Sequence, residues 1–228
     1  IPSDTLRAMF GNLRALLSLL DTAAPTFPNK NTTLMPLVLP QYSPLTPEQQ
    51  TEDMLNLLSI AHNRMDGIEQ MLAAIVQGVR LIIQNAPSDV GQRIRLIEGL
   101  LALMPPSVRF AVTFTTDSAR HNDVDCQLSF AREAINSPEV ARFDWESGQT
   151  FGMPLKDDYA RFVISQLRLD TSLVLERTTA MTPAAGWYLS QGHRLSEALA
   201  YGSYRLKMDD ALLSGQPVNR EDASSILQ

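Results

Sequence analysis

Residues 46–85 read TPEQQTEDMLNLLSIAHNRMDGIEQMLAAIVQGVRLIIQN. Thr46 supplies a capping hydroxyl, Pro47 suits the first helical position, and Gln49 stands three residues after the cap, where its side chain can close a capping box. Beyond this start Met54, Leu58, Ala61, Met65, Ile68, Leu72, Ile75, Val79 and Ile82 recur alternately four and three residues apart. That spacing predicts one helix from Thr46 to Asn85, roughly 40 residues and ~60 Å long, stopped by Pro87. With the four-residue steps beginning at heptad position d, Leu58, Met65, Leu72 and Val79 fall at a, and Met54, Ala61, Ile68, Ile75 and Ile82 at d. Leu55, Leu57, Met71, Val76 and Ile83 widen the stripe, so it asks for burial on more than one side. The seam of Met54, Leu58, Met65, Ile68, Leu72, Ile75, Val79 and Ile82 therefore reads either as the core of one compact domain or as an oligomerisation joint. Gly67 and Gly78, each costing up to ~1 kcal/mol of helix propensity, would mark close contacts or a bend.

Working outward, Leu6, Phe10, Leu13, Leu17 and Leu20 give residues 1–21 the pattern of an amphipathic helix. Residues 22–47 hold Pro25, Pro28, Pro36, Pro40, Pro44 and Pro47, which fix φ and remove amide donors, so an extended arm is expected there. Its Leu34, Met35, Leu37, Val38, Leu39 and Tyr42 are too apolar for a solvated tether, and a groove on this domain or on a neighbouring subunit would receive them. Downstream of Pro87 a second stripe, Val90, Ile94, Ile97, Leu101 and Met104, predicts a helix that folds back to make residues 48–105 a helical hairpin.

Residues 106–228 read as an α+β part packed with 48–105 as one domain. Val108, Phe110, Val112 and Phe114 alternate with smaller or polar residues, which predicts a strand over Ser107 to Thr116. Its partner would be Val124 to Phe130, or a hairpin formed by Arg142 to Phe151 around Ser147-Gly148. Helices return from Lys156, with a fresh start at Thr182-Pro183 and interruptions near Gly192 and Gly202. The fold class is thus mainly α: a multi-helix domain around one long central helix, with a small β-strand or hairpin element.

The 228 residues are 44% hydrophobic and 19% charged, an ordinary globular balance. A net charge of −6 speaks against coating nucleic acid by bulk positive charge. Local arginine grooves are still compatible with it, and Arg93, Arg95, Arg109, Arg161 and Arg168 are the candidate nucleic-acid contacts. The lone Cys126 excludes an intrachain disulfide framework and fits a reducing compartment. No apolar run approaches the ~20 residues of a membrane span.

Chemistry-bearing clusters are few. On an extended strand His121, Asp123 and Asp125 would point to one side and could share a cation, although a polar turn explains the same residues. Cys126 lacks a nucleophile motif around it, and His62 and His193 lack ligand spacing. Phosphate-cradling, dinucleotide and nucleophile-elbow strings do not occur in the sequence. No catalytic residue, cofactor or metal is assigned on these grounds. The leading expectation is a non-enzymatic, self-assembling structural protein, a homo-oligomer of the cytoplasm or a virion, with a viral coat or nucleocapsid-type subunit as its most concrete form. The alternatives are a coiled-coil oligomeric adaptor or polymerase cofactor, and a metal-dependent enzyme using His121, Asp123 and Asp125.

Overall fold

A computed structural model of the chain describes residues 12–14, 45–118, 125–131, 140–215 and 217. The amphipathic-helix and proline-arm expectations therefore lie outside the described residues, apart from Asn12 to Arg14 and Leu45 to Pro47. Helix α1 (Pro47–Ile60) begins as the sequence dictates: the Thr46 hydroxyl accepts from the Gln49 amide at 3.3 Å, and the Gln49 side chain accepts from the Thr46 amide at 2.9 Å. It does not run to Asn85. His62 and Asn63 adopt left-handed φ values of 52° and 58°, and a second helix, α2 (Met65–Gln77), restarts after Arg64. Gly78, at φ 71°, closes α2, with the Val79 amide donating to the Ala74 carbonyl at 2.9 Å. The next four residues are strand β1 (Leu81–Gln84). The single long helix is thus two helices and a strand.

The seam residues divide accordingly among α1, α2 and β1. Met54, Ile68, Leu72, Ile75 and Ile82 are wholly buried, while Leu58, Met65 and Val79 are half-buried against the core. Ile82 is separated from the others: it points to the opposite face of the sheet, in a small cluster with Ala131 and Val140.

Helix α3 (Val90–Ala102) starts at Asp89, whose carboxylate accepts from the Gly91 amide at 2.7 Å. It is not the return arm of a hairpin but the crossover from β1 to the parallel strand β2 (Phe114–Ser118). The strand predicted from Ser107 is shorter than expected because Pro106–Ala111 forms a 3-10 helix. There Val108 and Arg109 are both buried although adjacent, which a half-buried strand forbids. Strand β3 (Leu128–Ala131) overlaps the expected stretch, Val124 to Phe130, and pairs in parallel with both β2 and β1. Strands β4 (Ala141–Asp144) and β5 (Gln149–Phe151) form the expected antiparallel hairpin. Its turn is held by Asp144, which accepts from the Ser147 amide and hydroxyl at 2.8 Å each, and by Gly148 at φ 65°.

The five-stranded sheet has the order β2-β3-β1-β4-β5, with β1 central. Leu81, Ile83, Leu128, Phe130 and Phe143 face α2 and α3 in the main core. Against this layer pack α1, α4 (Asp158–Leu167), α5 (Thr171–Ser190) and α6 (Leu195–Ser214). Helix α5 passes through Thr182-Pro183 without a new start. The Thr182 hydroxyl, instead of capping, donates back to the Thr178 carbonyl at 3.0 Å. Gly192, at φ 89°, does separate α5 from α6, but Gly202 interrupts nothing and lies where α6 presses on Met181 and Ala185 of α5.

Candidate functional site

Strands β1 to β4 run in parallel, so their carboxyl ends share one edge, the place where open α/β sheets hold their ligands. A hollow of about 460 Å³ lies at that edge, lined by Asn85, Ser88, Val90, Arg93, Asp117 and Phe130 among others. Asn85 turns the chain out of β1 at φ 54° and donates to the Asp144 carboxylate at the end of β4. Burial opposes ionisation of Asp144, but the hydrogen bonds from Ser147 and Asn85 outweigh it and hold this carboxyl below its usual range.

Arg93, expected as a phosphate contact, is buried in the wall of this hollow. It donates to the carbonyls of Pro87 and Thr116 at 2.6 Å each and approaches Asp117 at 3.7 Å. Its fork ties the loop after β1 to β2. Arg109 is also inside the protein, donating to the Met104 carbonyl at 3.0 Å and to the Gln50 side chain at 2.7 Å. Desolvation lowers its pKa to about 10. Arg95, Arg161 and Arg168 are exposed, and Arg161 is paired with Asp158. Arg161 lines a second, open groove of about 730 Å³ between α4 and α6, together with Lys156, Phe162, Ser203, Tyr204 and Lys207. The five arginines are thus dispersed: two are structural, one belongs to this groove, and no single basic channel gathers them.

Of the possible cation ligands, His121 and Asp123 lie outside the described residues. Asp125 is fully exposed before β3, at the amino edge of the sheet, with Arg80 at 3.6 Å. Among the described residues no group of three or more His, Cys, Asp or Glu side chains could hold a metal ion. Cys126 is buried, its thiol 3.2 Å from the Leu128 carbonyl, and burial raises its pKa.

A different surface escaped the sequence reading. At one end of the antiparallel α5–α6 pair, His193 stacks on Tyr188 at 3.8 Å, Tyr188 stacks on Tyr201 at 4.6 Å, and Trp187 tilts against Tyr201 at 5.9 Å. Trp187 is nevertheless 56% exposed. At the other end of the same pair Leu169, Leu212 and Leu213 are exposed at 73%, 65% and 88%. Tyr201 lies thirteen residues beyond Tyr188, and the α5–α6 turn brings it against Trp187 and Tyr188. No family model matches the chain, and no curated protein or solved structure shows significant similarity to it.

Proposed function

We propose that this chain is a non-enzymatic, self-assembling structural protein, in its most concrete form a coat or nucleocapsid-type subunit, whose copies meet through the outer face of α5 and α6. The observation that carries the reading is the half-exposed Trp187 at the head of a preordered aromatic stack. Large aromatic side chains held rigid by neighbours lose little entropy on contact and dominate interface energies. The exposed leucines at the far end of the same pair add a second apolar patch. The seam residues are buried or half-buried within the fold, which supports a meeting surface elsewhere on the molecule.

Light scattering across a concentration series tests the proposal. The native chain is expected to give a mass above that of the monomer, and Trp187→Ala and Leu213→Ser should each lower it while leaving the helical circular dichroism intact. A concentration-independent monomer would overturn assembly. It would favour a second reading, a small-ligand-binding or enzymatic protein, which the hollow at the carboxyl edge of the sheet supports.

A further inference from the structure

Asp53 of α1 and Glu98 of α3 are acids in the interior, with relative exposures of 0% and 3%. Gly99 brings them there. A Cβ at this position would stand 2.6 Å from the Leu57 Cβ and 2.7 Å from the Asp53 carbonyl, so only glycine lets α1 and α3 approach so closely. Among the described residues, one cation from a different part of the chain contacts both carboxylates. Arg14 donates to Asp53 Oδ1, to Glu98 Oε2 at 3.0 Å, and to Glu52 Oε2 at 3.4 Å at the exposed rim. Beside it Leu13 is buried in the main core. The remaining oxygens, Asp53 Oδ2 and Glu98 Oε1, are buried without a hydrogen-bond partner.

We propose that Asp53 and Glu98 form an acid-sensitive latch: ionised, they hold residues 12–14 on the α1–α3 surface through Arg14, and protonation lets those residues go. Two negative charges in one dry site need a cation, and Arg14 contacts both. A proton is the other way to satisfy the site, since it supplies the donor that the two orphaned oxygens lack. Proton and Arg14 therefore compete.

The direction of linkage follows. Burial, then the neighbouring Glu98, raises the Asp53 pKa to about 7, and burial raises that of Glu98. Arg14 acts against both shifts. With α1 and α3 still closed at Gly99 and the acids still buried between them, loss of Arg14 raises both pKa values further. The docked state thus binds protons less tightly than the undocked state, and docking weakens as pH falls through about 7. Other charges facing the pair are Glu52 on α1, Arg95 on α3 and Arg109 of the 3-10 helix. Helices α2 and α5 also pack on α1. Their Asp66, Glu69, Glu176 and Arg177 make no hydrogen bond or ion pair to the cluster, and Arg177 is bound to Asp210.

Hydrogen exchange on the full chain tests the latch, with rates corrected for the intrinsic effect of pH. Between pH 8 and pH 5.5 the amides of residues 12–14 should lose roughly tenfold protection, the equivalent of one pKa unit of coupling, while α1 and α3 keep theirs. In Glu98→Gln, which removes one of the two charges, the midpoint of that loss should move to lower pH. Protection at residues 12–14 that does not change with pH would overturn the proposal. So would a loss shared equally by α1 and α3, which reports general unfolding, or a midpoint unmoved in Glu98→Gln.

Discussion

Arg109 shows what a buried charge does when it is not a binding residue. Its guanidinium joins the Met104 carbonyl, at the end of α3, to Gln50 in the second turn of α1, and Tyr159 nearby donates to the Leu103 carbonyl at 2.7 Å. Arg109→Ala would strand two acceptors and open a cavity, and should cost roughly 3 to 5 kcal/mol in urea unfolding. Arg109→Lys should recover less than half of this, because one ammonium cannot reproduce the planar fork. A variant with unaltered stability would show that the site is solvated. From sequence Arg109 was read as a groove arginine because charge alone does not reveal burial. The one available sign was its position three residues after Pro105-Pro106, where a strand has difficulty starting. Asp53 and Glu98 were not legible for a related reason: each lies on an otherwise amphipathic helix, and only the approach of two helices at Gly99 turns them inward.

At the scale of elements, helix–helix contacts depend on two glycines that sequence reading does not distinguish. A Cβ at Gly99 would stand 2.7 Å from the Asp53 carbonyl, which cannot move aside, whereas a Cβ at Gly202 would meet nothing nearer than the flexible Met181 Cε at 3.2 Å, with the Ala185 Cβ at 3.3 Å and the Met181 Cβ at 3.4 Å. Gly99→Ala should therefore lower stability by about 1 to 3 kcal/mol despite the gain in helix propensity. Gly202→Ala should be neutral or stabilising by up to ~1 kcal/mol. Melting temperatures of the two variants check the contrast, and equal effects would contradict this account of the packing. The capping box of α1 and the β4–β5 hairpin were legible because each is specified by residues within a few positions. The break at His62-Asn63 was not. The interruption occupies four residues, Ala61 to Arg64, about the length of one helical turn, so a count of fours and threes runs across it unchanged. What holds the break is distant: the His62 ring bonds to the Trp145 carbonyl at 3.2 Å, and Gly148 packs against Ala61 and His62. In β1, Leu81, Ile82 and Ile83 are all buried, and a strand covered on both faces carries an apolar run that satisfies any period imposed on it.

At the scale of the molecule the fold is less local than a helical bundle. The main core joins residues from Leu13 to Leu206, and its centre is a parallel sheet under layered helices. That architecture gives the carboxyl-edge hollow and the α5–α6 outer face their separate positions, one at the strand ends and the other on the far helical pair. The central position of β1 has a consequence during synthesis. Both neighbours of this strand, β3 and β4, are made later, so while a ribosome has not yet passed residues 128–144 the segment Leu81–Gln84 has unpaired amides and carbonyls along both sides. The nascent chain then carries an apolar strand with two open edges, a template for pairing with another unfinished copy. A fragment comprising residues 45–112 should consequently aggregate, whereas one comprising residues 45–217 should remain in solution. Sedimentation of the two after expression measures the difference. The order in which the sheet is completed thus makes early termination more hazardous to this protein than most substitutions on its surface.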